Sequence, residues 1–153
     1  MTAVSIGKIC NREVVCSSRA STIREAAFLM REHHVGDLIV VNETGKRQPV
    51  GIITDRDITI SIVALWLDPD VMTVGDIMGR ELVTLREDQG VLETIEQMRL
   101  KGVRRLPIVG EDGALVGIVT VDDLIALLAN ELSDLSKVIW HEQAIEVKTR
   151  KSP

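Results

Sequence analysis

The apolar residues of the chain follow two patterns, and each pattern occurs twice. The spacing i, i+3, i+4, i+7 places side chains on one face of a helix and predicts two helices. The residues that carry it are Ile23, Ala26, Ala27 and Met30, and then Val91, Thr94, Ile95 and Met98. Near-continuous apolar runs after each helix predict pairs of strands covered on both faces, at 35–41 with 50–53 and at 103–109 with 115–119.

The repetition extends to individual residues. A shift of 68 positions matches the early parts of the two halves, as in Gly7 with Gly75, Met30 with Met98 and Leu38 with Leu106. After the hairpin turn the shift is 66, as in Gly51 with Gly117, Thr54 with Thr120 and Asp57 with Asp123. The turn at 42–49 is therefore two residues longer than its counterpart near 110–115, a change that a hairpin loop tolerates. These matches indicate an internal duplication.

Each half is predicted to run strand, helix, strand, strand, helix, with short first strands at 14–16 and 82–84. Thr22 with Glu25 predicts a capping box at the first long helix, and Gly90 with Glu93 takes the equivalent place. One unit of about 60 residues is marginally stable alone, so the two should share a core. We expect an α/β (α+β) fold of two pseudo-symmetric β-α-β-β-α units packed sheet to sheet. The predicted bounds are 6–65 and 74–130 for the units, 66–73 for a linker, and 131–153 for a C-terminal helix and tail.

Composition narrows the classes of partner. The net charge is −5, and the chain has one Phe, two Trp and no Tyr, which disfavours nucleic-acid binding by a basic surface or by base stacking. Two cysteines make no disulfide framework, and no run of about 18 apolar residues predicts a membrane span. We therefore expect a cytoplasmic protein that binds neither membrane nor nucleic acid.

Four segments resemble the signature of the CBS domain: VGIITDRD at 50–57, VGIVTVDD at 116–123, VRRLPIV at 103–109 and VGDIM at 74–78. The resemblance covers roughly residues 6–129. It implies a tandem pair, or Bateman module, with two pseudo-symmetric clefts for AMP, ADP, ATP, S-adenosylmethionine or another adenosine derivative, most simply an adenine nucleotide. It also implies a homodimer that associates through helices. An effector protein would then receive the signal.

The paired threonines and aspartates are the candidate ribose ligands. Thr54 with Asp57, and Thr120 with Asp123, occupy the turn from a strand into a helix, with one helical turn between hydroxyl and carboxylate. A carboxylate can accept hydrogen bonds from both ribose hydroxyls, and a helix N-terminus adds oriented N–H groups. The same pattern is also a helix cap, which contributes about 1 kcal/mol and could alone account for these residues. Both roles can coexist.

The candidate phosphate ligands are Arg56, Arg104 and Arg105. Basic residues at the position of Arg104 and Arg105 often reach phosphates in the family, and two guanidiniums could clamp a polyphosphate. The first half carries Gly36 and Asp37 there, and Asp37 would repel a phosphate, so the clefts should be unequal. Which cleft the two arginines serve is left open, and they could instead pair with surface carboxylates.

Adenine needs an apolar slot with backbone hydrogen bonds, and Cys16 or Thr84, together with Ile53 or Val119, are the candidates for it. No metal site is expected, because adjacent His33 and His34 point in different directions on a helix. No catalytic motif is present in the sequence, so we expect a regulatory module rather than an enzyme. The alternative is a ligand-free structural or dimerisation module; a metal-dependent hydrolase is the second alternative.

Overall fold

A computed structural model of the chain describes residues 4–79 and 81–150, and it contains two similar halves. The first half consists of α1 (Ile6–Ile9), β1 (Cys16–Ser17), α2 (Ile23–His33), β2 (Asp37–Val41), β3 (Pro49–Thr54) and α3 (Asp55–Ile58), which continues as a π-helical turn at Thr59–Val63. The second half consists of α4 (Val74–Ile77), β4 (Leu85–Arg86), α5 (Val91–Lys101), β5 (Arg105–Val109), β6 (Leu115–Thr120) and α6 (Val121–Thr149).

Each half contains one three-stranded sheet with the same topology. β1 pairs parallel with β2 and β2 antiparallel with β3, and β4, β5 and β6 repeat this arrangement. The predicted order of strand, helix, strand, strand, helix is thus confirmed. The first strands begin later than expected. Each half has a core between its sheet and its helices, and the apolar residues before the strands, such as Val15 and Val83, pack against these two helix-side cores.

The ends of the long helices follow the predicted local chemistry. In the capping box of α2, Thr22 Oγ1 accepts the N–H of Glu25 at 3.2 Å, and the Glu25 carboxylate accepts the N–H of Thr22 at 2.8 Å. At the other end, His34 has φ of 53°, and its counterpart Gly102 has φ of 64°. Both helices therefore end in a left-handed residue that satisfies their last carbonyls.

The two sheets pack on each other, as expected. Ile39 of β2 lies in one buried cluster with Leu115 and Ile118 of β6, and Cys16 and Ile52 pack against it. This interface is apolar on both sides, so separating the halves would expose it to water.

The short helices α1 and α4 are exchanged between the halves, which the sequence did not predict. Ile6 of α1 is fully buried in the core of the second half, and Val74 of α4 is fully buried in the core of the first. The N–H of Gly7 donates to the carbonyl of Glu87 at 3.0 Å, and a Cβ at Gly7 would lie 2.8 Å from that same oxygen. Each core is therefore completed by a segment from the other half.

The C-terminal segment does not form a separate helix. α6 runs without interruption for 29 residues, from the end of β6 to Thr149, and every residue from 128 to 150 is exposed. Leu135, Val138 and Ile139 lie on this exposed extension, and residues 151–153 fall outside the described residues. Among the described residues, no helix combines the length and the apolar composition that a bilayer crossing requires.

Candidate functional site

A cavity of about 340 Å³ lies between the two halves. Both halves and the segment before β4 contribute to its wall, and this volume is within the range of small-molecule sites. The wall consists of Ile52, Thr54, Asp57, Gly79, Glu81, Leu82, Val83, Val103, Arg104, Arg105 and Leu106. The wall combines apolar side chains with four charged ones, Asp57, Glu81, Arg104 and Arg105.

Thr54 and Asp57 line this cavity and cap their own helix at the same time. Thr54 Oγ1 accepts the N–H of Asp57 at 3.1 Å, and Asp57 Oδ2 accepts the N–H of Thr54 at 2.8 Å. The Thr54 hydroxyl keeps its hydrogen for donation, and Asp57 Oδ1 takes no part in the cap. The capping and the ligand-facing interpretations therefore coexist in this pair.

Thr120 and Asp123 have the same capping geometry but lie outside the wall of this cavity. Their two hydrogen bonds measure 3.2 and 2.9 Å. The backbone groups of Ile118 exchange two hydrogen bonds of 2.9 Å with those of Asn11. Ile118 is the counterpart of Ile52 in the cavity wall, so this contact makes the two clefts unequal.

Gly51 and Gly117, the glycines of the two signature segments, lie where another segment of the chain passes close to the strand. A Cβ at Gly51 would lie 2.8 Å from Met78 Sδ, and one at Gly117 would lie 2.6 Å from Cys10 Sγ and 2.8 Å from the Asn11 carbonyl oxygen. At Gly117 the near atoms include backbone, so only glycine lets this segment approach so closely. At Gly51 the near atoms are the flexible end of the Met78 side chain, which can move.

The structure places both predicted arginines at the cavity that contains Thr54 and Asp57. Arg105 donates to Asp37 across the interface between the halves at 2.5 Å, and Arg104 lies 3.7 Å from Asp122. Both arginines thus line the cavity and pair with a carboxylate. The third candidate, Arg56, is exposed and is not part of the wall.

The ion pair of Asp37 and Arg105 is partly buried. The side chain of Asp37 keeps 20% of its exposure and that of Arg105 keeps 31%. Burial raises the pKa of Asp37 and the nearby charge of Asp55 adds to this rise, while Arg105 opposes it. Arg105 is therefore the contact that favours the ionised form of this buried carboxylate.

The predicted adenine-slot residues lie elsewhere. Ile53 and Val119 are fully buried in the helix-side cores, because side chains alternate along a strand, and Ile52 lines the cavity in place of its neighbour. Thr84 is exposed outside the wall, where Leu82 and Val83 contribute instead.

Cys16 also differs from its predicted role. It packs between the two sheets, its sulfur accepts an N–H of Arg47 at 2.9 Å, and burial raises the pKa of its thiol. Cys10 and Cys16 are not disulfide-bonded. In the part of the chain that the structure describes, no three His, Cys, Asp or Glu side chains gather in a way that could hold a metal ion.

The chain is similar to a known family and to individual proteins. A family model described as CBS domain matches residues 6–64 and 74–130. An uncharacterized protein of Methanopyrus kandleri is 43% identical over 125 residues, which cover 82% of this chain and 63% of that protein. The chain thus spans less than two thirds of this relative.

Two solved structures are similar over most of the chain. One is the CBS domain pair of protein MJ0100 in complex with 5′-methylthioadenosine and S-adenosyl-L-methionine, at 29% identity and a TM-score of 0.71, covering 84% of this chain and 98% of that one. The other is the cytosolic domain of the Mg²⁺ channel MgtE in complex with ATP, at 29% identity and a TM-score of 0.67, covering 80% and 48%.

Proposed function

The chain belongs to the CBS domain family as a tandem pair, and on this premise we propose that it is a regulatory module that binds an adenosine derivative. The ligand would occupy the cavity between the halves, with its ribose against Thr54 and Asp57. The adenosine ligands in the similar structures of MJ0100 and MgtE support this ligand class.

The observation that carries the proposal is the placement of Thr54 and Asp57 in an open cavity rather than their sequence motif. Asp57 Oδ1 can accept ribose hydroxyls while Oδ2 keeps the cap. Ile52, Leu82 and Val83 offer an apolar surface to the purine. The 5′ end of the ligand would then point towards Arg104 and Arg105 from the other half.

The signal would come from the position of the ligand between the two halves. Thr54 and Asp57 belong to the first half, and Arg104 and Arg105 to the second, so a bound ligand contacts both. Such a ligand binds one relative arrangement of the halves more tightly and shifts the population towards it. An effector protein would recognise this arrangement, in a reducing compartment such as the cytoplasm, where the two unbonded cysteines persist.

A thermal shift assay tests the proposal directly. Adenosine, AMP, ATP, S-adenosylmethionine and 5′-methylthioadenosine would each be added in excess, with guanosine as the control. A ligand at 100 times its Kd stabilises by about 2.7 kcal/mol, which corresponds to roughly 5–10 °C in Tm for a chain of this size. No shift with any adenosine compound at millimolar concentration would instead favour the ligand-free structural module.

We also propose that the chain forms a homodimer through the extension of α6. α6 presents a set of exposed apolar side chains, most of them on this extension: Ile125, Leu128, Leu132, Leu135, Val138, Ile139 and Ile145. Helices in proteins gain most of their stability from packing an apolar face, so these side chains favour a partner surface. Apolar grooves beside α5 and α6, lined by residues such as Leu92 and Leu127 or Ile95 and Ile125, are available on a second copy.

Removal of residues 131–153 should convert the dimer into a monomer at micromolar concentration, because it removes most of these exposed apolar side chains. Light scattering after size-exclusion chromatography measures the mass. A full-length chain with Lys137→Ala, a change on the same helix outside this apolar set, should stay dimeric. A truncated chain that remains a dimer would place the interface elsewhere.

A further inference from the structure

Asp37 and Arg105 are equivalent positions of the duplication, and they contact each other across the two halves. They are 68 residues apart, at the starts of β2 and β5, and their side chains form the 2.5 Å ion pair. In the strand register Asp37 lies opposite Thr54, so its carboxylate is next to the cavity wall. The guanidinium of Arg105 is thus already occupied at the end of the cavity that the 5′ group of the ligand would reach.

Both arginines that the structure describes in the wall are already engaged by carboxylates. Two arginines and two carboxylates, Asp57 and Glu81, line the cavity. Arg105 is paired with Asp37 and Arg104 lies near Asp122, so each arginine is matched by a carboxylate outside the wall. Within residues 4–79 and 81–150, no lysine or arginine lies within ion-pair distance of Asp57 or Glu81.

A triphosphate that enters this cavity must either break the pair of Asp37 and Arg105 or lie beside an ionised Asp37. Breaking the pair leaves a partly buried carboxylate without its counter-ion, and keeping it places like charges close together in a region of low polarity. A neutral thioether neither breaks the pair of Asp37 and Arg105 nor places a negative charge beside Asp37. A sulfonium group likewise brings no negative charge to Asp37 and does not compete with it for Arg105.

We propose that Asp37, by holding Arg105, makes this cavity selective for adenosine derivatives with a neutral or cationic 5′ group over those with a triphosphate. This inference rests on the proposed function and specifies its ligand. It differs from the expectation of an adenine nucleotide, for which Arg104 and Arg105 are the candidate phosphate ligands.

Isothermal titration of the full chain with 5′-methylthioadenosine, S-adenosylmethionine and ATP tests the selectivity. The two sulfur compounds should bind the wild-type chain at least about tenfold more tightly than ATP. In Asp37→Asn the affinity for ATP should rise about tenfold while that for 5′-methylthioadenosine changes by less than about threefold. Asp55→Asn removes the same charge nearby without touching Arg105 and is the matched control, with a smaller gain for ATP.

Each outcome decides between distinct conclusions. Tighter binding of ATP than of 5′-methylthioadenosine by the wild-type chain would overturn the selectivity and leave the proposed function intact. An equal gain for ATP in Asp37→Asn and Asp55→Asn would show that Arg105 is not involved. No binding of any of the three compounds would overturn the proposed function and this inference together. The wild-type measurement stands even if Asp37→Asn fails to fold.

Discussion

Asp57→Ala is expected to weaken the binding of an adenosine derivative by at least about 100-fold, because it removes two hydrogen bonds to a charged acceptor, each contributing about 1.5–3 kcal/mol. Asp57 lines the cavity between the halves, and its Oδ1 takes no part in the helix cap. Titration calorimetry with the compound that gives the largest thermal shift measures the change.

The duplication supplies the matched control for this experiment. Asp123 caps α6 with the same hydrogen bonds that Asp57 makes at α3, but it is not part of the cavity wall. Asp57→Ala and Asp123→Ala should therefore each lower the free energy of unfolding by about 1 kcal/mol, and only the first should lose the ligand. A loss of binding in Asp123→Ala, with Asp57→Ala unaffected, would move the site to the second cleft.

Ile6→Ala is expected to lower the free energy of unfolding by about 2–5 kcal/mol, which is a large effect for a residue so close to the N-terminus. Ile6 has 0% exposure and packs in the core of the second half, whereas Val4, two residues earlier, is 52% exposed. Val4→Ala, a change at an exposed site, should have an effect within about 0.5 kcal/mol. Urea unfolding measures both values.

Hydrogen exchange shows which half is affected by Ile6→Ala. Because Ile6 completes the core of the second half, the amides of β5 and β6 should exchange faster, and those of β2 and β3 should change less. Faster amide hydrogen exchange confined to the first half would contradict the packing of α1 in the core of the second half.

The sequence does not show which face of a buried strand lines the cavity. The run from Val50 to Ile53 is apolar apart from its glycine, so it carries no alternation that tells the two faces apart. The sequence could therefore not show that Ile53 is fully buried while its neighbour Ile52 lines the cavity. Both faces of the strand are covered, one by helices and one by the other half.

The exchanged helices are too short to be recognised from hydrophobic periodicity. α1 and α4 have four residues each, too few for a hydrophobic period to be recognised. Gly7 and Gly75 match in the repeat, and each closely approaches backbone of the opposite half, at Glu87 and Arg19. A matched glycine outside a turn could have suggested a crossing segment.

The sequence by itself determined the duplication, the order of elements in each half and the caps at Thr22, Thr54 and Thr120. The elements and caps depend on periodicities and hydrogen bonds within a few residues, and the duplication is read by comparing the two halves position by position. None of these features depends on how the halves pack. Only the tertiary structure decided that Asp37 pairs with Arg105 and that Thr54, not Thr120, faces the open cavity. Those contacts depend on how two sheets of nearly the same sequence pattern pack together, and no local pattern records that packing.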